Sequence, residues 1–109
     1  MLELSPKQIG ILEKIAAHGF AIVAFPLYAS AVGVRKGNCA ALLVPAPNGS
    51  MMFLGEPCWL LDGNLTVRVQ RGGLELFVWK KQEIEATFER LAEVAGFRKE
   101  IEDLLAPRV

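Results

Sequence analysis

Four turn signatures set most of what this chain can fold into. Lys36-Gly37-Asn38, Asn48-Gly49, Asp62-Gly63 and Gly72-Gly73 punctuate its middle. Glycine and asparagine suit tight hairpin turns because the central residues there take positive φ. Between the turns lie β-rich runs at 20–34, 39–45, 51–61, 65–71 and 74–80. Connections this short join antiparallel neighbours. The spacing predicts a five-stranded antiparallel meander, with Pro26 breaking or bulging the first run and Pro57 the third.

Helical signals flank the meander. Ser5 is a predicted N-cap, Pro6 the first helical residue, and Gln8 completes a capping box. Leu4 and Ile9 take the positions of a hydrophobic staple, and Ile9, Leu12, Ile15 and Ala16 form one apolar face. Gly19 supplies the left-handed residue that ends the helix, with Phe20 folding back on Ile15. From Gln82 the helical period returns: Ile84, Phe88, Leu91 and Ala95 are spaced by four, three and four. Phe97, Ile101, Leu104 and Leu105 are out of phase with that set, which predicts a kink near Gly96. Pro107 ends this helix.

The expected fold class is α+β: an N-terminal helix, a five-stranded antiparallel meander and a C-terminal helix kinked near Gly96. With 109 residues, one domain over residues 1–109 is expected. The order of elements is similar to that of profilin-like and small chaperone-like folds, a likeness of order alone that fixes no function.

Turn lengths also set neighbours. A two-residue Gly72-Gly73 loop pairs Val69 with Leu76, Val67 with Val78 and Arg68 with Phe77, and keeps Leu65, Val67, Val69, Leu74, Leu76 and Val78 on one face. A two-residue Asp62-Gly63 loop sets Trp59 against Thr66, and Thr66 faces Trp79. Trp59, Arg68, Phe77 and Trp79 then share a face, a candidate ligand site with a guanidinium among aromatic rings; the alternative is a core face with Arg68 stacked on a ring. A two-residue Asn48-Gly49 loop would place Cys39 opposite Cys58, close enough for a redox pair, although one bulge beside Pro45, Pro47 or Pro57 would separate them. Arg35 and Lys36 would activate Cys39 only by pointing at it. The alternative is two buried, inert thiols.

No other chemistry is gathered. His18, the one histidine, falls at a helix C-terminus, where it serves the last carbonyls. Two cysteines nineteen residues apart match no common zinc spacing. Glu83, Glu85, Glu89 and Glu93, with Arg90 among them, read as a charge-paired helix face. No glycine loop leads into a helix to cradle phosphate. The expectation is no catalytic residue, no metal and no cofactor.

Composition bears on partners. Residues 1–81 carry eight basic and five acidic side chains and residues 82–109 four and seven, for a net charge of zero. That disfavours nucleic acid, although Arg35, Lys36, Arg68, Arg71, Lys80 and Lys81 cluster in the sheet region. MLELSPKQ lacks the pattern of a signal peptide, and no apolar run is long enough to span a membrane. A cytoplasmic protein with reduced thiols is expected. Hydrophobic residues make up 52%, slightly above the usual share. Val32, Val34, Leu43, Leu54, Leu60, Val67 and Val78 are expected on one sheet face, and Ala29, Ala31, Gly33, Ala40, Leu42, Phe53 and Trp59 on the other. Two apolar faces need two covers, and a homodimer is the expected completion. The function this implies is a non-enzymatic binding or interaction module; a small-molecule-binding domain and a thiol redox protein are the alternatives.

Overall fold

The computed structural model describes residues 3–105, so Pro107 lies outside it. The elements run α1 (Pro6–Ala17), β1 (Ala21–Val23), a 3-10 turn (Pro26–Tyr28), β2 (Val32–Lys36), β3 (Cys39–Pro45), β4 (Met51–Trp59), β5 (Val67–Arg71), β6 (Leu74–Trp79), β7 (Gln82–Glu85) and α2 (Phe88–Leu105). The class is α+β. The five-stranded meander is replaced by two antiparallel sheets, β1-β2-β3-β4 and β5-β6-β7.

Helix α1 starts as its sequence dictates. The Ser5 side chain accepts from the Gln8 N–H, and the Gln8 side chain accepts from the Ser5 N–H. His18 is the C-cap, and Gly19 follows at φ +91°. The buried face is turned one residue from the expected one. Gln8, Ile11, Leu12 and Ile15 point inward, while Ile9 and Ala16 are exposed. Gln8 earns its buried place by donating from Nε2 to the Ser50 carbonyl at 3.2 Å.

The first β run divides because Pro26 opens the 3-10 turn, letting β1 fold back on β2. The β3–β4 register differs from the expected one by one residue. Ala46 N donates to Ser50 O, so the loop is Pro47-Asn48-Gly49, and Leu43 pairs with Phe53 rather than Leu54. A one-residue slip exchanges faces. Phe53 therefore packs on the core, and Leu54 is 44% exposed on the outer face. Two extra residues then bulge from β4 between its pairings at Leu54 and Cys58, with Gly55 at φ +73°.

The sheet breaks between β4 and β5. The Asp62-Gly63 turn closes, with Leu61 bridging Asn64, but the ladder stops there. Thr66 donates its hydroxyl to the Trp59 carbonyl and its N–H to Cys58 Sγ. Pro57 has no N–H to offer, and the bulge bends β4 away. The β5–β6 register is the expected one, Val67 with Val78 through Arg71 with Leu74.

The C-terminal region departs twice from the helical reading. Lys80 takes φ +54° in a tight turn, and Gln82–Glu85 returns as β7 along β6. Thr87 then caps α2, its hydroxyl accepting from Arg90 N. Helix α2 runs unbroken through Gly96. Leu91, Val94, Phe97, Ile101 and Leu105 make one continuous inward stripe, so the two apolar sets share a phase once Val94 replaces Ala95.

Both helices cover one face of the four-stranded sheet. There Ile15, Phe20, Val94, Phe97 and Ile101 meet Val34, Ala41, Leu43 and Met51, and Phe77 and Ala86 join from the second sheet. Burying each large side chain of this set stabilises the fold by roughly 1.5–3 kcal/mol. Phe20 and Phe97 meet edge-on at 5.5 Å. No described helix is long and apolar enough to cross a membrane.

Candidate functional site

The diverging strands beyond Asp62-Gly63 leave a groove between the two sheets. Glu56, Pro57 and Cys58 form one wall and Thr66, Val67 and Arg68 the other, above Phe77 and Val94, around a hollow of about 380 Å³. A second hollow of about 330 Å³ shares Glu56, Cys58, Thr66 and Val67 with it. This one continues over the outer face of the four-stranded sheet past Leu42, Leu54, Leu65 and Tyr28. Each volume falls in the range of small-molecule sites.

Of the four residues expected to form an aromatic site, the fold brings two together. Arg68 lies directly opposite Phe77, and both line the groove. Phe77 is buried in the core. The Arg68 guanidinium is half exposed, with Nε 3.5 Å from the Glu75 carboxylate. The tryptophans go elsewhere. Trp59 packs against the core with the Arg90 guanidinium 5.6 Å from its ring. Trp79 borders a shallow crevice with Phe25, Tyr28 and Leu65, and the Lys80 ammonium stands 5.1 Å from its ring. Thr66 lies near Trp59 as its turn predicts, but it meets the backbone carbonyl rather than the ring. Glu56, Leu54 and Val94 were not legible as groove residues. Leu54 could have been found by counting the Pro47-Asn48-Gly49 loop as three.

The thiols do not face each other. The bulge sets Cys39 opposite Trp59 and Cys58 opposite Ala40. Neighbouring pairs in a ladder point to opposite faces, so one thiol enters the helix-covered core and the other lines the groove. Both are free and buried. Burial first, then the Glu93 charge and hydrogen bond, then Cys58, push the Cys39 thiol up to about 12. Its Sγ donates to Glu93 Oε2 at 3.8 Å. Burial also raises Cys58, against the lowering effect of the Thr66 hydrogen bonds.

Arg35 and Lys36 make other contacts than with Cys39. Arg35 donates to the Gly37 carbonyl. Lys36 Nζ reaches Glu100 at 3.1 Å and the His18 carbonyl at 3.4 Å, above the Phe20 ring. It ties the end of α1 to α2 rather than activating a thiol. His18 Nδ1 is 2.8 Å from the Lys14 carbonyl. Cys39 also borders a separate hollow of about 400 Å³ with Lys36, Glu93 and Glu100. Among the described residues, no three acidic, histidine or cysteine side chains gather as a metal site would need.

The two hollows can hold an apolar body against Leu42, Leu54 and Leu65 and a polar head at Arg68. Compared with known proteins, the chain matches no protein-family model, and neither the curated proteins nor the solved structures include one similar enough to count as a relative.

Proposed function

We propose that this protein is a non-enzymatic binding module that works as a homodimer in the cytoplasm. The observation that carries the reading is the groove where β4 and β5 part. Apolar residues share its walls with Glu56, Arg68 offers donors at one end, and its thiol is buried and kept protonated by its surroundings. A lining of this kind binds rather than reacts.

The dimer half of the reading rests on the second sheet. Its outer face carries two apolar cross-strand pairs, Val67 with Val78 and Val69 with Leu76. Val67 is 63% exposed and neighbouring Leu74 52%. An antiparallel sheet with one wet face ordinarily alternates polar residues outward; here Val67, Val69, Leu74 and Val78 take places beside the charged Arg71, Glu83 and Glu85, while Leu76 is already buried. A second copy packed on the β5 side of this face, away from Glu83 and Glu85, would bury Val67, Val69 and Leu74. Zero net charge removes the repulsion between copies. The cytoplasm suits two buried, unpaired thiols.

Native mass spectrometry of freshly purified protein, joined to sedimentation velocity, tests both halves. A dimer that Val69→Glu converts to a folded monomer is expected, together with uptake of apolar small molecules. A strictly monomeric wild type sinks the dimer half. A protein that takes up no apolar compound sinks the binding half.

A further inference from the structure

We infer that the groove takes an elongated monocarboxylate with an apolar tail, of the chemical class of medium-chain fatty acids, and that Arg68 holds its carboxylate. This rests on reading the groove as the binding site and adds the class of its ligand.

The two hollows, which share Glu56, Cys58, Thr66 and Val67 and are read together as one groove, differ in chemistry. At one end Arg68 has a single carboxylate neighbour among the described residues, Glu75, 3.5 Å from Nε. Its two terminal nitrogens make no hydrogen bond to the described residues. A guanidinium carries five N–H donors in a planar fork that matches a carboxylate, so the side facing the hollow is unused. Glu56 also lines the groove, but it is largely exposed and turned to Arg98 at 3.9 Å. It therefore leaves Arg68 to an incoming anion. At the other end, Leu42, Leu54, Leu65 and Tyr28 offer apolar surface. Between the ends stands Cys58, whose protonated thiol behaves as a small hydrophobe.

The walls also argue against an extended peptide as the occupant. A strand entering between β4 and β5 would need backbone partners on both sides. Pro57 has no N–H, and the Thr66 N–H is already given to Cys58 Sγ. An alkyl tail asks for no such partners, and it needs a charged anchor at one end only.

Isothermal titration with decanoate and decanol separates the anchor from the tail. Wild-type protein should bind decanoate at least about tenfold more tightly than decanol, the scale of one charge-assisted pair. Arg68→Gln should abolish that advantage, and a far-ultraviolet circular dichroism spectrum like that of the wild type certifies that the variant is folded. Arg68→Lys should keep part of it. Leu54→Glu should weaken both ligands. Equal binding of the two ligands by the wild type, or an advantage that survives Arg68→Gln, overturns the carboxylate anchor while the groove stands as a binding site. If neither ligand binds, the binding reading falls as well.

Discussion

The ring of Phe25 occupies the space that a side chain on Gly33 would need. A Cβ at that position would sit 2.5 Å from Cδ2 and Cε2 of the ring and 2.6 Å from the Val23 carbonyl oxygen. The bare backbone of β2 is what allows the segment after β1 to fold back over the outer sheet face. Gly33→Ala should therefore cost about 1–3 kcal/mol in urea unfolding, the range for overpacking a filled site. In a Phe25→Leu background only part should return, because the Val23 oxygen belongs to the backbone. A neutral Gly33→Ala would show that the segment is not seated there.

The start of α1 offers a second test. Ser5→Ala should lose about 1 kcal/mol, the usual value of an N-cap. Gln8→Leu should lose about 0.5–1.5 kcal/mol, since it removes the bond from the Ser5 N–H and the second bond to the Ser50 carbonyl, which keeps its bond from Ala46 N. The two losses should not add, because the residues share one capping box. A double-mutant cycle by chemical denaturation reads the coupling directly.

Alkaline pH should find Cys39. Burial, with Glu93 and Cys58 behind it, lifts this thiol from 9.0 to about 12. The unfolded chain therefore releases the proton first as pH rises. The stability tied to this group is whole below about pH 9 and drains away between about 9 and 12. The raised Cys58 acts in the same direction. The thermal midpoint should fall faster above about pH 9 in the wild type than in Cys39→Ala. Parallel curves would mean that the native thiol titrates like a free one.

Thiol chemistry gives a fourth test. At neutral pH neither Cys39 nor Cys58 should label in the native protein, and both should label once it unfolds. Omitting reductant should leave the mass unchanged. A loss of about two daltons, the mark of one disulfide, would mean that the β4 bulge can rearrange and bring the two sulfurs to one face.

Features written in adjacent residues were legible in the sequence. Ser5, Pro6, Gln8 and Gly19 specify α1 without help from the rest of the fold, and Gly72-Gly73 fixes the β5–β6 pairing. What escaped depends on distant parts of the chain or on a count of one. The Asn48-Gly49 dipeptide marks a turn, but whether two or three residues form the loop decides which of Phe53 and Leu54 goes inside. Ile84 lies at helical spacing from Phe88 and also alternates correctly for a strand. The Lys80-Lys81 turn and the Thr87 cap were the signals that favour the strand. The groove itself was out of reach. It exists because Thr66 bonds to Cys58 and Trp59 in place of a continued ladder, and no local pattern announces that substitution. Arg68 opposite Phe77 was readable; the dispersal of Trp59 and Trp79 was not.

The position of α2 in the chain sets an order of events during synthesis. Strands β1 to β4 leave the ribosome first, and the β5–β7 unit follows with pairings between near neighbours, which close quickly. Until residues 88–105 emerge, Val34, Ala41, Leu43 and Met51 have only α1 above them. The nascent chain thus carries a half-roofed sheet until α2 is made. Chaperones that shield apolar surface would act in that interval, and a slow codon placed just before Phe88 would lengthen it.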